Sequence, residues 1–232
     1  PAPASIPARA ITEHEAKSIL GKAGIAFTPE RLVAPDADPG PAADELGYPL
    51  VMKISSPDLP HKTEVGGVAL SLRNVAEVRN AMGAMLERVR AKAPAARIEG
   101  VILAPMLSGG VETIAGVFTD PVMGPVVMFG VFVEVLKDVT FRVAPFDRAE
   151  ALRMIREIRG FAMLEGVRGA PPADLDALAD LLSRLSIFAH ANADRIDSID
   201  LNPVLAMPQG RGAVPLDALI VAAGTQDGKA VA

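Results

Sequence analysis

The order of helix-like and strand-like segments along the chain is the feature that most constrains its fold. Thr12 and Glu15 have the spacing of a capping box, and apolar residues follow at helical intervals, so a helix is predicted there. Further helices are predicted at 41–45, after Asn74, after Asp147 and after Pro172. Strands are predicted at 49–54, 68–72, 100–105, 111–118, 125–129, 131–136, 139–144, 195–201 and 213–221. This mixed order lacks a regular βαβ repeat and predicts an α+β protein of two lobes, not a doubly wound sheet.

The predicted elements leave two ends of the chain without structure. Residues 1–10, PAPASIPARA, have the composition of a Pro/Ala linker, and residues 225–232 have that of a frayed tail. We expect one lobe at 11–99 and a second lobe at 100–224. A linker at the front favours a domain fused within a longer protein over a separate subunit.

Composition excludes several classes of protein. The 232 residues carry a net charge of −5 without a block of Lys or Arg, which argues against a nucleic-acid partner. Cysteine is absent and histidine occurs three times, which argues against disulfides and against thiolate or multi-His zinc sites. No apolar run reaches about 18 residues and no signal-peptide pattern is present, so we expect no membrane span and a cytoplasmic location. The nucleotide-binding patterns GxGxxG and GxxxxGK(S/T) are also absent.

Lys53 interrupts the apolar strand PLVMKI. Burying an ammonium group without a partner is costly, so the side chain has two plausible roles. It either reaches water past the end of the strand, or serves as a fixed cation for a polyphosphate in a cleft.

His61 lies in the segment SSPDLPHKTEVGG. It is either an exposed loop residue or a nucleophile, because a neutral imidazole nitrogen can attack phosphorus when a nearby carboxylate orients the ring. Asp58 and Glu64 are the nearby carboxylates. Gly66 and Gly67 would let backbone N–H groups approach phosphate oxygens closely.

Asp200, Asn202 and Asp217 form a third group of polar residues. If the predicted strand 195–201 extends to residue 202, alternation puts Asp200 and Asn202 on one face, and Asp217 follows after the turn MPQGRG. Carboxylate and amide oxygens suit Mg²⁺, which bridges substrate phosphates. The alternative is that these residues cap turns at the end of a hairpin.

Five segments of the chain together resemble the ATP-grasp part of nucleoside-diphosphate-forming acyl-CoA synthetases. Acetyl-CoA synthetase (ADP-forming) beta subunits are the nearest form, and succinyl-CoA synthetase beta subunits are more distant. The resemblance extends over about residues 11–223. It is carried by the segments ITEHEAKSILGKAGI, YPLVMKISSPDLPHKTEVGGVALSLR, MLSGGVETIAGVFTDPVMGPVVMFG, IRGFAMLEGVRGAPPADLDALADLLSRLS and IDSIDLNPVLAMPQGRGAVPLDALIV.

The resemblance implies an ATP-grasp fold, in which two lobes enclose ATP between antiparallel sheets. It also implies the reaction acyl-CoA + ADP + phosphate ⇌ carboxylate + CoA + ATP. A partner subunit or domain would bind CoA and the carboxylic acid, and the assembly is expected to be an oligomer. ATP or ADP and Mg²⁺ would be the cofactors of this chain.

The resemblance also implies roles for particular residues. His61 matches the histidine that takes a phosphoryl group, and Lys53 would contact the ATP phosphates. Glu112 would lie near the ribose or the phosphates. Asn202 and Asp217 look like Mg²⁺ ligands, with Asp200 beside them. The adenine would meet the backbone of Leu103, Ala104, Pro105 and Met106.

One departure from the family concerns a glycine-rich stretch. Relatives have FGLGG before the strand that resembles IFVEVLKD, whereas here Phe129–Gly130 runs directly into Val131. About three residues are missing, either because the loop is short or because it is absent from this sequence.

Two alternative functions stay open. One is an ATP-grasp carboxylate–amine ligase, which needs no phosphohistidine. The other is a regulatory ATP-grasp module fused to an acetyltransferase.

Overall fold

The computed structural model describes residues 4–59, 61–131, 137–167 and 169–225. It combines helices with antiparallel sheets, so the α+β prediction is confirmed. The chain divides into a smaller unit, Thr28–Ser108, and a larger unit that joins Pro1–Phe27 to Gly109–Ala232. In the described part of the chain, no helix has the length and apolar composition needed to cross a membrane.

Five α-helices, one 3₁₀ helix and ten strands are described. The helices are α1 (Glu13–Lys22), α2 (Gly40–Leu46), α3 (Val75–Lys92), α4 (Arg148–Arg156), the 3₁₀ helix Arg159–Met163 and α5 (Leu175–Ala191). The strands are β1 (Arg31–Val33), β2 (Leu50–Ser55), β3 (Val68–Leu72), β4 (Gly100–Pro105), β5 (Val111–Asp120), β6 (Gly124–Val131), β7 (Asp138–Val143), β8 (Ile196–Ala206), β9 (Ala213–Pro215) and β10 (Leu219–Ala222).

The smaller unit is a four-stranded antiparallel sheet, in the order β1-β4-β2-β3, with α2 and α3 against one face. Asn74 accepts the backbone N–H of Glu77 (2.9 Å) and caps α3, as predicted. The apolar residues that follow at helical spacing are buried: Val78, Met82, Met85, Leu86 and Val89. They share a core with Leu50, Met52 and Ile54, which alternate along β2. The alternation turns Lys53 to the opposite face of the sheet.

The larger unit contains an antiparallel sheet in the order β10-β8-β5-β6-β7, with β9 also paired to β8. One face packs in the core with α1, α4 and α5, and includes a row of neighbours on three strands: Ile199, Val117 and Val127. The next row, Asp200, Gly116 and Met128, lies on the opposite face, because side chains alternate along each strand. We call this second face the outer face of the larger unit.

The units divide the chain at different places from the predicted lobes at 11–99 and 100–224. Helix α1 packs in the core of the larger unit through Ala16 and Leu20, although it precedes the smaller unit in sequence. Strand β4 belongs to the smaller unit because it pairs with β1 and β2. Both assignments depend on contacts between segments that are distant in sequence.

Residues 4–10 of the predicted linker, residues 1–10, pack on the larger unit. The Ala4 N–H donates to Asn192 Oδ1 (2.8 Å), and Arg195 donates to the Ala4 carbonyl (3.0 Å). Ile6 packs against the core. A Pro/Ala composition typical of linkers therefore does not prevent packing, because apolar residues of this segment contact the core of the larger unit.

Two predicted strands differ in the structure. The prediction of a strand at 131–136 lies mostly outside the described residues; β6 ends at Val131, which pairs with Asp138 of β7. The predicted strand 213–221 is two strands, β9 and β10, separated by residues 216–218. The predicted tail at 225–232 also lies outside the described residues, apart from Thr225.

Asp174 caps α5 and holds the turn that follows β8. Its buried carboxylate accepts the backbone N–H groups of Ala177 (3.1 Å), Gly210 (2.9 Å) and Gly212 (2.9 Å). Burial acts to raise the pKa of Asp174, but the N–H groups of Gly212, Ala177 and Gly210 outweigh it and hold the pKa below its ordinary value.

Replacing Asp174 with alanine is expected to lower the free energy of unfolding by about 3 kcal/mol, because buried N–H groups lose their acceptor. Asp176→Ala removes a neighbouring, exposed carboxylate and is the matched control, with an expected cost under about 1 kcal/mol. Because the folded-state pKa of Asp174 is depressed, its contribution is present above about pH 4 and is lost as the pH falls further. Urea unfolding of both variants between pH 3 and 7 measures this; equal losses in the two variants would contradict it.

Candidate functional site

Lys53 lies on β2 of the smaller unit, on the sheet face turned away from that unit's core. It is half-buried, and its Cα partners are Val68 on β3 and Ile102 on β4. The apolar stem of the lysine is thus held on a rigid strand between apolar neighbours, with the ammonium group at its end. A cation fixed in this way suits a phosphate group.

The segment between β2 and β3 carries His61. The His61 carbonyl accepts the N–H of Glu64 (3.3 Å), and the Lys62 carbonyl accepts the N–H of Gly67 (2.7 Å). The carbonyl of Gly67 accepts the N–H of Ile54 (2.8 Å), which returns the segment to β2 beside Lys53. The imidazole of His61 is exposed. The structure therefore brings the base of this segment next to Lys53 and leaves the histidine accessible.

Gly66 and Gly67 close this segment. A Cβ atom on Gly67 would lie 2.4 Å from Ile54 Cγ2, so no larger residue fits, and Gly66 has a φ of 70°. The N–H of Gly66 donates to Thr63 (3.0 Å), and that of Gly67 donates to Lys62. Both N–H groups are used within the segment in this conformation, and their contact with phosphate stays a prediction.

Asp58 anchors the segment three residues before His61. Its carboxylate accepts the backbone N–H of Arg97 (2.8 Å) and two N–H groups of the Arg97 guanidinium (3.1 and 3.2 Å). The side chain and then the backbone of Arg97 lower the pKa of Asp58. Asp58 is therefore committed to Arg97 and does not orient the imidazole of His61, which was one of the roles considered for it.

Residues 103–105 end β4, and Met106 follows directly. The side chain of Leu103 is fully buried in the core, and the Met106 N–H donates to the carbonyl of Pro49 (2.9 Å) beside β2. Peptide groups alternate in direction along a strand, so the carbonyl of Pro105 points away from β2, towards the side on which β1 lies. The ladder with β1 ends at the Arg31–Leu103 pair, so β1 does not pair with Pro105. Pro105 is thus the member of this segment best directed for accepting a hydrogen bond from a ligand.

In the larger unit, Asp200 and Asn202 lie on the outer face. Both are exposed, and Leu201 between them is buried, so the predicted alternation is confirmed. Asp217 lies in the interruption between β9 and β10: the Leu216 N–H donates to Pro203 (2.9 Å), and Leu219 pairs with Asp200. Asp217 is thereby opposite the stretch of β8 that carries Asp200 and Asn202.

The charge of Asp217 acts on the neighbouring carboxylate of Asp200. Desolvation by the surrounding protein, and then the charge of Asp217, raise the pKa of Asp200, although the residue is partly exposed. Among the described residues there is no group of three or more His, Asp or Glu side chains that could hold a metal by itself. Two crowded carboxylates and one amide nevertheless fit Mg²⁺, which typically keeps waters and takes its other ligands from substrate phosphates.

Glu112 also lies on the outer face of the larger unit. It is exposed on β5 and pairs with Leu205, three residues from Asn202 along β8, which corresponds to about 10 Å. The four predicted site residues of the larger unit, Glu112, Asp200, Asn202 and Asp217, are therefore together on or beside one face.

Two further acidic residues of the larger unit, Asp138 and Glu134, are not assigned to this group. Asp138 is buried and accepts the N–H groups of Arg159 (3.0 Å) and Gly160 (2.7 Å), so it anchors the 3₁₀ helix. Glu134 lies outside the described residues. The Asp58–Arg97 anchor was missed in the sequence, because the partners are 39 residues apart and no local pattern joins them.

A comparison with known protein families identifies the class of protein. Residues 5–222 match the family described as "ATP-grasp domain". The chain belongs to the ATP-grasp family, and the predicted ATP-grasp fold is confirmed.

The chain is similar along nearly its whole length to one kind of ligase subunit. It is 40% identical over 218 residues to the beta subunit of acetate–CoA ligase [ADP-forming] II of Pyrococcus furiosus, covering 93% of this chain and 92% of that one. The chain is thus the ATP-grasp part of an ADP-forming acyl-CoA ligase, an acid–thiol ligase.

Two solved structures of one protein, dinucleotide-forming acetyl-coenzyme A synthetase 1 of Ca. Korarchaeum cryptofilum, are similar to this chain. The complex with coenzyme A, Ca-AMPCP and HgCl⁺ has a TM-score of 0.86 and 40% identity, covering 91% of this chain and 93% of that one. The complex with coenzyme A and Mg-AMPPCP, whose phosphohistidine segment points towards the nucleotide binding site, has a TM-score of 0.78 and 38% identity, covering 90% and 91%.

Proposed function

We propose that this chain transfers a phosphoryl group between ATP and His61, as one half-reaction of an ADP-forming acyl-CoA ligase. The observation that carries the proposal is the connection between Lys53 and the His61 segment: Lys53 pairs with Val68, the first strand residue after that segment. A cation for the phosphates and an exposed imidazole are thereby joined by one short, glycine-closed loop.

In the proposed step, a ring nitrogen of His61 attacks the γ-phosphorus of ATP as the bond to the leaving ADP breaks. Lys53 offsets charge on the phosphates, and the backbone near Pro105 holds the adenine. Glu112 lies near the ribose or phosphates. Mg²⁺, held by Asn202 and Asp217 with Asp200 beside them, would neutralise charge on the β- and γ-phosphates. Catalysis then consists mainly of positioning and electrostatic stabilisation.

The complete reaction requires a partner. We propose that a CoA-binding subunit or fused domain holds CoA and the carboxylic acid, and exchanges the phosphoryl group with His61 when the loop moves. This matches the name "subunit beta" of the similar Pyrococcus furiosus protein. We further propose that the assembly is oligomeric and cytoplasmic, where ATP and CoA are available.

Exchange of label between ADP and ATP tests the function without any partner. A phosphohistidine mechanism predicts that the chain with Mg²⁺ exchanges label with no acid and no CoA present. A carboxylate–amine ligase would exchange only after an acid substrate is added, and a regulatory module would bind ATP without any exchange. Either of those results would overturn the proposal.

The Asp58–Arg97 anchor makes a separate prediction about positioning. Asp58→Asn removes the charge that holds the base of the His61 segment, and is expected to slow phosphorylation of His61 about tenfold while nucleotide affinity stays unchanged. Asp38→Asn breaks another Asp–Arg pair of the same unit, with Arg79, and should leave the rate unchanged. Rapid-quench phosphorylation with nucleotide titration compares the two; a parallel loss of affinity in Asp58→Asn would contradict a positioning role.

A further inference from the structure

We propose that the larger unit has a second ligand site, for an organic carboxylate with an apolar body, between the N-terminal segment, α1 and α5. A cavity of about 520 Å³ lies there. Its apolar lining includes Ile19 of α1 and Ile187 and Phe188 of α5. This volume and lining are typical of small-molecule sites.

Two cations line the same cavity. Lys22 is in the last turn of α1, and Arg184 is on α5; with the residues that the structure describes, neither makes a hydrogen bond or an ion pair. Gly24 makes room for the guanidinium, since a Cβ atom there would lie 2.5 Å from Arg184 Nη1. Both cations are exposed, and the cavity lining, among the described residues, contains no carboxylate, so they are available to an anionic ligand.

The cavity wall is fixed by hydrogen bonds. Asn192 is buried; its Oδ1 accepts the N–H of Ala4 (2.8 Å), and its Nδ2 donates to the carbonyl of Phe188 (2.8 Å). These bonds hold the N-terminal segment against α5, so the cavity does not depend on a loose loop. A preformed wall lowers the ordering cost of binding.

This cavity is distinct from the nucleotide site. Helix α5 packs on the core face of the sheet, where Phe188 and Leu185 are buried, whereas Asp200 and Asn202 lie on the outer face. The thickness of the sheet therefore separates the two. Two cations match one carboxylate, which Arg184 can bind with two parallel hydrogen bonds, whereas a polyphosphate carries more charge than they neutralise.

Calorimetry with octanoate tests the proposal on the intact chain, with Mg-AMPPCP saturating the nucleotide site. Wild-type protein is expected to bind octanoate at least tenfold more tightly than octanol, its neutral counterpart. Combining Lys22→Gln with Arg184→Gln should weaken octanoate at least tenfold and leave octanol unchanged. Arg156→Gln removes one exposed helix cation elsewhere in the same unit and should change neither. Ala191→Phe, which fills the cavity from the end of α5, should weaken both ligands.

Three results would overturn the proposal. The first is no octanoate binding, or equal binding by wild type and the double variant. The second is competition between octanoate and Mg-AMPPCP, which would move the ligand to the nucleotide site. The third is ADP binding at this cavity more tightly than octanoate, which would assign it to phosphate. Thermal unfolding of each variant, measured without ligand, establishes that the fold is retained.

Discussion

Replacing His61 with alanine is expected to abolish phosphorylation of the chain by ATP, with a loss of at least about 1,000-fold, because no other group replaces a nucleophile. Nucleotide affinity is expected to change less than twofold, since the His61 side chain is exposed and lies outside the strands that carry Lys53 and Pro105. Labelling with γ-³²P ATP, followed by acid and base treatment of the labelled protein, measures the phosphoprotein.

His190→Ala is the matched control for this prediction. His190 is also exposed, but lies in the last turn of α5 in the larger unit. Its loss should leave labelling intact. Acid-labile label that persists in His61→Ala and disappears in His190→Ala would show that His190, and not His61, takes the phosphoryl group.

Replacing Asp217 with asparagine is expected to weaken binding of Mg·ATP by about 100-fold, which corresponds to about 2.7 kcal/mol. The metal loses a charged oxygen ligand, and two neighbouring carboxylates become one. Without Mg²⁺, the same variant should bind ATP equally well or better, because a negative charge no longer faces the phosphates. Titration of AMPPCP with and without Mg²⁺ separates the two effects.

Asp197→Asn is the control for the metal prediction. Asp197 is an exposed carboxylate on β8, three residues before Asp200, so the variant removes the same charge as Asp217→Asn at another position of the larger unit. It should leave Mg·ATP affinity within about twofold, as expected for a surface charge screened by salt. If Asp217→Asn weakens metal-free ATP as much as Mg·ATP, Asp217 does not bind the metal.

The parts of this molecule that could be predicted from sequence are those encoded by neighbours in the chain. The capping box at Thr12 and the helix cap at Asn74 were visible because cap and partner are three residues apart. Alternation of Asp200, Leu201 and Asn202 placed the two polar side chains on one face, since a strand has a period of two.

Features that depend on distant segments were not predictable in this way. Helix α1 joins the larger unit through apolar contacts that its own pattern does not specify. Lys22 and Arg184 line one cavity although 162 positions separate them (184 − 22). The interruption that contains Asp217 lies between two stretches that pair separately with β8. The sequence does not reveal it, because apolar residues continue on both sides of Asp217.

The mass of the intact protein after incubation with ATP and Mg²⁺, before and after brief acid treatment, tests the central claim most directly. The phosphohistidine mechanism predicts one added phosphoryl group that acid removes, with no partner protein, CoA or carboxylic acid in the reaction. An unchanged mass, with ATP bound to the same sample, would contradict the claim that this chain takes the phosphoryl group from ATP.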